Sequence, residues 1–154
     1  MRKLGLAAAV TYSTAASSYH RYTESRVKDL IAELKSADLV VGYNVLEFDY
    51  QVLRGYMDEC CDEIATVDMM QHLAERLGFR PSLESVATAT LGAKKSADGL
   101  QAVRWYRQGL IDKVLDYCEQ DVRITKELYE FGHYHHLVYY WDRQYQRQVV
   151  VVNW

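Results

Sequence analysis

Gly42-Tyr43-Asn44-Val45-Leu46-Glu47-Phe48-Asp49 is the segment on which the fold turns. It continues Leu39-Val40-Val41, so Leu39 to Tyr43 read as a compact buried strand. Near Phe48 the pattern becomes helical, with Val52, Leu53 and Tyr56 on one face. A buried strand that runs straight into a helix belongs to an α/β layered fold. Sites in such folds form at strand ends, which puts Asn44 and Asp49 at the mouth of a sheet.

Upstream, Leu4 to Tyr12 is apolar and β-compatible, Ser13 to Ser18 is turn-like, and Tyr19 to Thr23 alternates aromatic and polar residues. This predicts a hairpin. Thr23 is placed to cap a helix on which Val27, Leu30, Ile31 and Leu34 share a face. Downstream, Ile64 to Val67 leads into a helix from Asp68, with Met69, Met70, Leu73 and Leu77 inward and Gly78 as its stop. Pro81-Ser82 opens another helix that Gly92 ends, and a further one after Ala97 carries Leu100, Val103 and Tyr106 to Gly109. The longest helix is expected from Leu110 to Phe131, closed by Gly132. Leu137 to Trp154 has β-rich ends around a polar middle, which suits a terminal hairpin. A single proline, no repeat and no linker predict one domain over residues 1–154.

Composition bounds the function. With 49% apolar and 25% charged residues, 154 residues can bury a sizeable core. No run of about 18 apolar residues is present, so no membrane span is expected. Met1-Arg2-Lys3 followed by Leu4 to Val10 has the outline of a signal peptide but no convincing cleavage site. Three cysteines make neither a disulfide framework nor a metal-ligand spacing, so the expected setting is a reducing cytoplasm. The net charge of −3 argues against a protein held to nucleic acid by overall charge. It leaves room for an enzyme that grips a few phosphates locally.

A second segment, Tyr117-Cys118-Glu119-Gln120-Asp121, lies inside the long helix. Tyr117 and Asp121 are one turn apart on one face, where a hydroxyl and a carboxylate could hold a water and a metal ion. On the residues alone, Asp49 reads first as a helix N-terminal carboxylate favoured by the dipole, and Tyr117 first as a surface aromatic. Lys94 and Lys95, with Arg104 and Arg107, read as a phosphate-contacting patch or as a solvated helix flank. His133, His135 and His136 follow a helix-ending glycine and are read as non-ligating, His72 as facing solvent or a polar neighbour, and Cys118 as core.

Asn44-x-x-x-Phe48-Asp49 resembles the second exonuclease motif of the DEDD superfamily, and Tyr117-x-x-x-Asp121 resembles the third motif of its tyrosine-bearing (DEDDy) branch. Leu91-Gly92-Ala93-Lys94-Lys95 and the helix after it look like bacterial predicted exonucleases of that branch. The resemblance covers nearly the whole chain. It implies a ribonuclease H-like mixed sheet flanked by helices, and 3′–5′ hydrolysis of DNA or RNA ends with two Mg²⁺ or Mn²⁺ ions about 4 Å apart. It casts Asp49 and Asp121 as two of four metal-binding acids and Tyr117 as the residue that orients the attacking water. Asn44, Phe48, Lys94 and Lys95 fall on the substrate side.

The family's other two acids form an Asp-x-Glu on its first central strand, and no Asp or Glu precedes Glu24 here. Glu47 and Asp68 could support the site from behind but do not occupy that position. The expectations are therefore a chain lacking that first strand, at most one weakly held ion, and little or no activity alone. The open sheet edge is expected to be covered by a second copy or a partner. Two alternatives stand beside this: a non-catalytic nucleic-acid-binding or scaffolding module, and a subunit completed by a partner's strand.

Overall fold

The computed structural model describes residues 6–57, 61–93 and 99–154. Leu4, Gly5, Cys60, Lys94 and Lys95 lie outside the described residues. In chain order the elements are β1 (Ala8–Ser13), β2 (Ser18–Thr23), a 3₁₀ turn (Glu24–Arg26), α1 (Val27–Ser36) and β3 (Val40–Gly42). A π turn (Val45–Asp49), α2 (Tyr50–Arg54), β4 (Thr66–Asp68), α3 (Met69–Leu77) and α4 (Leu83–Leu91) follow. The chain ends with α5 (Gly99–Arg107), α6 (Ile111–His135), β5 (Leu137–Trp141) and β6 (Arg147–Val151). The architecture is mixed α/β, and the strands pair as three ladders, β1 with β2, β3 with β4 and β5 with β6. Among the described residues no helix is long and apolar enough to cross a membrane.

The chain divides into two compact units. The first draws on Met1–Val40, Leu46–Ala65 and Ser96–Arg123. Here β1 and β2 form an antiparallel hairpin in which Ala8 faces Thr23 and Ser13 faces Ser18. Among the described residues the strand begins at Ala8, since Leu6 and Ala7 make no ladder. Thr23 precedes the 3₁₀ turn but makes no side-chain cap, because its hydroxyl pairs with Ser25 Oγ at 3.2 Å. Leu30 and Ile31 of α1 are buried together with Tyr22, Tyr50, Leu53, Val114 and Leu115. Burying one such aliphatic side chain contributes about 1.5–3 kcal/mol. α2 stops at Arg54, and Tyr56 lies beyond it, partly exposed.

The second unit draws on Val41–Val45, Thr66–Lys95 and Ile124–Trp154. Its core unites Met69, Leu73, Val86, Leu128, Val138, Val150 and Val152. Local chemistry sets its helix ends. Asp68 caps α3 by accepting the Met70 and Gln71 N–H groups, and Ser82 caps α4 by accepting from Ser85 N–H. Gly78 and Gly92 end those helices in the left-handed conformation. α4 also supplies hydroxyls to strand β5: Ser85 Oγ accepts Trp141 N–H at 3.0 Å, and Thr90 Oγ1 accepts Tyr139 N–H at 2.9 Å. Those bonds satisfy backbone groups that would otherwise form an open edge.

The long helix does not end at Gly132 as its sequence suggests; it runs on to His135. Gly132 is there for packing. A Cβ at this position would stand 2.4 Å from Trp154 Nε1, and that indole donates to Tyr129 O at 3.0 Å.

Candidate active site

Gly42 is buried at the end of β3, and a Cβ there would fall 2.1 Å from Val45 Cγ1, so the chain can turn this tightly only with glycine. The turn that follows is a π turn, a wide form often found at functional positions. It carries Phe48, which is 55% exposed, and ends on Asp49, also exposed. Asp49 stands at the N-terminus of α2 but makes no capping hydrogen bond to it.

Asp49 and Asp121 both belong to the first unit, and each lies near enough to Cys118 to act on its charge. Burial pushes the Cys118 thiol up to about 11, and the negative charges of Asp121 and Asp49 push it the same way. One thiol on α6 thus feels both carboxylates. Tyr117, half-buried, sits one turn before Asp121 on the same helix. Arg21 on β2 fixes this part of α6 by donating to Asp116 Oδ1 at 2.6 Å and Glu119 Oε2 at 3.2 Å. Hydrogen bonds to those two carboxylates raise the Arg21 pKa. Cys118, expected in the core, is only half-buried. Its place between Tyr117 and Asp121 is the signal that could have marked it as part of the site.

The remaining candidates fall elsewhere. Asn44 belongs to the second unit, with φ of 63°. Its backbone N–H donates to Asp68 Oδ1 at 2.8 Å, and its own Oδ1 is buried without a hydrogen-bond partner among the described residues. Asp68, a candidate supporting acid, is 7% exposed and spends its Oδ1 on Asn44 and the α3 cap. Lys94 and Lys95 cannot be placed, since both are outside the described residues. His133 Nδ1 lies 2.8 Å from Trp154 O, and His135 packs on the Phe131 ring. His72 Nε2 accepts Asn153 N–H at 3.1 Å. A cavity of about 210 Å³ in the second unit is lined by Asp68, His72, Glu75 and Trp154 among others, and none of its lining residues is a carboxylate acting on Cys118.

The donor set can be tested against a cation. Asp49 and Asp121 bring two carboxylates to one locality, while no group of three or more His, Cys, Asp or Glu side chains able to hold a metal is present among the described residues. Mg²⁺ binds through one or two carboxylates, with waters and substrate phosphate completing six oxygens. Two carboxylates match in number the protein's share for a single such ion, whereas a two-ion centre needs more than these residues supply.

No curated protein and no solved structure matches the chain. The comparison with protein families gives one result: residues 5–131 match the RNase_H superfamily. That superfamily implies a nuclease-type hydrolase that binds nucleic acid and generally uses divalent metals. The match takes in β1, the π turn with Asp49, and α6 as far as Tyr117 and Asp121. This chain belongs to the RNase H superfamily.

Proposed function

We propose that the chain is a 3′–5′ exonuclease-like protein of the tyrosine-bearing DEDD type, acting as one RNase H-like domain in the cytoplasm. Its substrate is single-stranded DNA or RNA taken at the 3′ end. The observation that carries this reading is the joint action of Asp49 and Asp121 on Cys118, because the two are remote in sequence. Asp49 and Asp121 would hold one Mg²⁺ or Mn²⁺. Such an ion, when bound, supplies Lewis-acid stabilisation of charge on phosphate oxygens. The Tyr117 hydroxyl hydrogen-bonds and orients the attacking water, and exposed Phe48 offers a ring to the terminal base.

Two carboxylates make the site weak. Titration of the purified protein with Mn²⁺, followed by electron spin resonance, should give one weakly bound ion per chain. Asp49→Asn and Asp121→Asn should each weaken it by about tenfold or more, as loss of a charged oxygen ligand demands. With protein in excess over a 5′-labelled oligonucleotide in Mn²⁺, slow shortening from the 3′ end is expected, and none with Asp121→Asn. Mn²⁺ binding indifferent to both substitutions would overturn the reading, as would shortening that persists in Asp121→Asn.

The same shortage of acids favours a second reading, in which a second copy or a partner lends a strand bearing Asp-x-Glu. A synthetic peptide with that strand should then raise the shortening rate at least tenfold; an unchanged rate would dismiss it.

A further inference from the structure

α5 is unlike every other α-helix for which burial is given, because not one of its nine residues is buried. Its sequence, Gly-Leu-Gln-Ala-Val-Arg-Trp-Tyr-Arg, has two arginines and no acid, in a chain whose net charge is −3. At 100° per residue, Leu100, Val103, Arg104 and Arg107 gather on one face, with Tyr106 along its flank. All five are exposed: Leu100 by 69%, Tyr106 by 49% and Val103 by 46%, with both arginines open to solvent. Neither Arg104 nor Arg107 makes an ion pair among the described residues, unlike Arg21, Arg26 and Arg54. On the other side of the helix, half-buried Trp105 meets Lys113 Nζ at 5.7 Å from its ring centroid.

Apolar surface, an aromatic ring and unpaired arginines on one helix face match the chemistry of a single nucleic-acid strand. Arginine meets phosphate, and a ring meets the face of any base without reading its identity. A second copy of this chain is a poorer occupant, since two α5 faces set against each other would bring four arginines together with no acid of the helix to offset them. We propose that the exposed face of α5 binds the backbone of a single strand, with Arg104 and Arg107 on neighbouring phosphates and Tyr106 stacked on a base.

This deepens the nuclease reading and rests on it for the identity of the ligand. The placement agrees with that reading. Tyr106 acts electrostatically on Tyr56, just past the end of α2, while Asp49 stands at the start of α2. Tyr106, Tyr56 and Asp49 all belong to the first unit. The seven residue steps from Asp49 to Tyr56 span about 10 Å at helical rise, so a strand ending at Asp49 could reach the arginines a few nucleotides back.

The test measures binding without cleavage. Fluorescein-labelled oligo-dT and oligo-U twelve-mers are titrated with the full chain in EDTA at several salt concentrations, and anisotropy is read. Each phosphate contact on a single strand contributes about 0.7 to the slope of log K against log salt. Arg104→Gln with Arg107→Gln should therefore lower the slope by about 1.4 and weaken binding at low salt tenfold or more. Tyr106→Ala should weaken binding about tenfold with the slope unchanged, because stacking carries no charge. Arg143→Gln, on the hairpin of the second unit, should change neither quantity. A double variant with the affinity and slope of the parent would overturn the proposal, as would a parent that binds neither oligomer. Hydrolysis of thymidine 5′-monophosphate p-nitrophenyl ester in Mn²⁺, read separately, reports on the nuclease reading. Salt-dependent binding through α5, with Mn²⁺ binding indifferent to Asp49→Asn and Asp121→Asn, would leave this inference standing while that reading falls.

Discussion

Glu33 on α1 draws three side chains of the hairpin to one carboxylate. Thr11 Oγ1 donates to Oε1 at 2.8 Å, His20 Nδ1 meets the same oxygen at 2.9 Å, and the Tyr22 hydroxyl donates to Oε2. Burial alone would raise the Glu33 carboxyl, but the bonds from Tyr22, Thr11 and His20 outweigh it and leave it below its ordinary 4.5. A lowered native value means this stabilisation is complete above about pH 4.5 and is lost as the pH falls through the native pKa. For Tyr22, burial and then the bond to Glu33 push the phenol from 10.0 up to about 12. A raised native value reverses the sign, so that contribution is whole below pH 10 and disappears as the pH climbs towards 12. Melting temperature should hence fall at both extremes, and Tyr22→Phe should make the alkaline fall shallower. Identical curves for parent and variant between pH 10 and 12 would remove Tyr22 from the account. Little of this cluster is legible in the sequence, since it depends on a hairpin and a helix meeting. The elements that carry Asp49, Tyr117 and Asp121 were legible, because each residue lies in a short local pattern at a helix start or within a helix. The half-buried Cys118 beside them was not, because helical periodicity assigns the residue to an inner face without saying how deep that face lies.

Among the elements, α3 and α4 follow their sequence closely, since Asp68 with Gly78 and Ser82 with Gly92 carry their own stop and start chemistry. α6 departs from its sequence at Gly132, whose reason lies 22 positions ahead in Trp154, beyond the reach of any local pattern. The misread also yields a test. In an unencumbered helix, glycine to alanine stabilises by up to about 1 kcal/mol. Here Gly132→Ala must displace the indole and its hydrogen bond to Tyr129 O, so it should destabilise by about 1–3 kcal/mol. Once Trp154→Ala has removed the obstacle, the same substitution should become neutral or stabilising. Chemical denaturation of the four proteins of this cycle decides the matter, and additive effects would show that Gly132 and Trp154 are not coupled. α5 was legible as a helix but not as an exposed one: Leu100, Val103 and Tyr106 carry a core-facing period, yet no core meets them.

For the molecule as a whole, burial is uneven. The largest side chains with less than 2% exposure are Met69, Leu73, Leu128, Val86, Val138 and Val152, all in the second unit. Amide exchange should thus be slowest in α3, α4 and β5, and fast in α5, none of whose residues is fully buried. Mass-resolved deuterium uptake would check this, and α5 peptides protected as long as β5 peptides would contradict it. The α/β class was legible from strand and helix periods. The division into two units was not, because it depends on how six separate lengths of chain gather rather than on any boundary residue. Each unit is assembled from three of those lengths, taken alternately along the chain. No single cut in the gene can therefore release either one whole. Fragments made by truncation would strip one body while leaving the other with gaps, so any attempt to express half of this protein should yield aggregate rather than a folded piece.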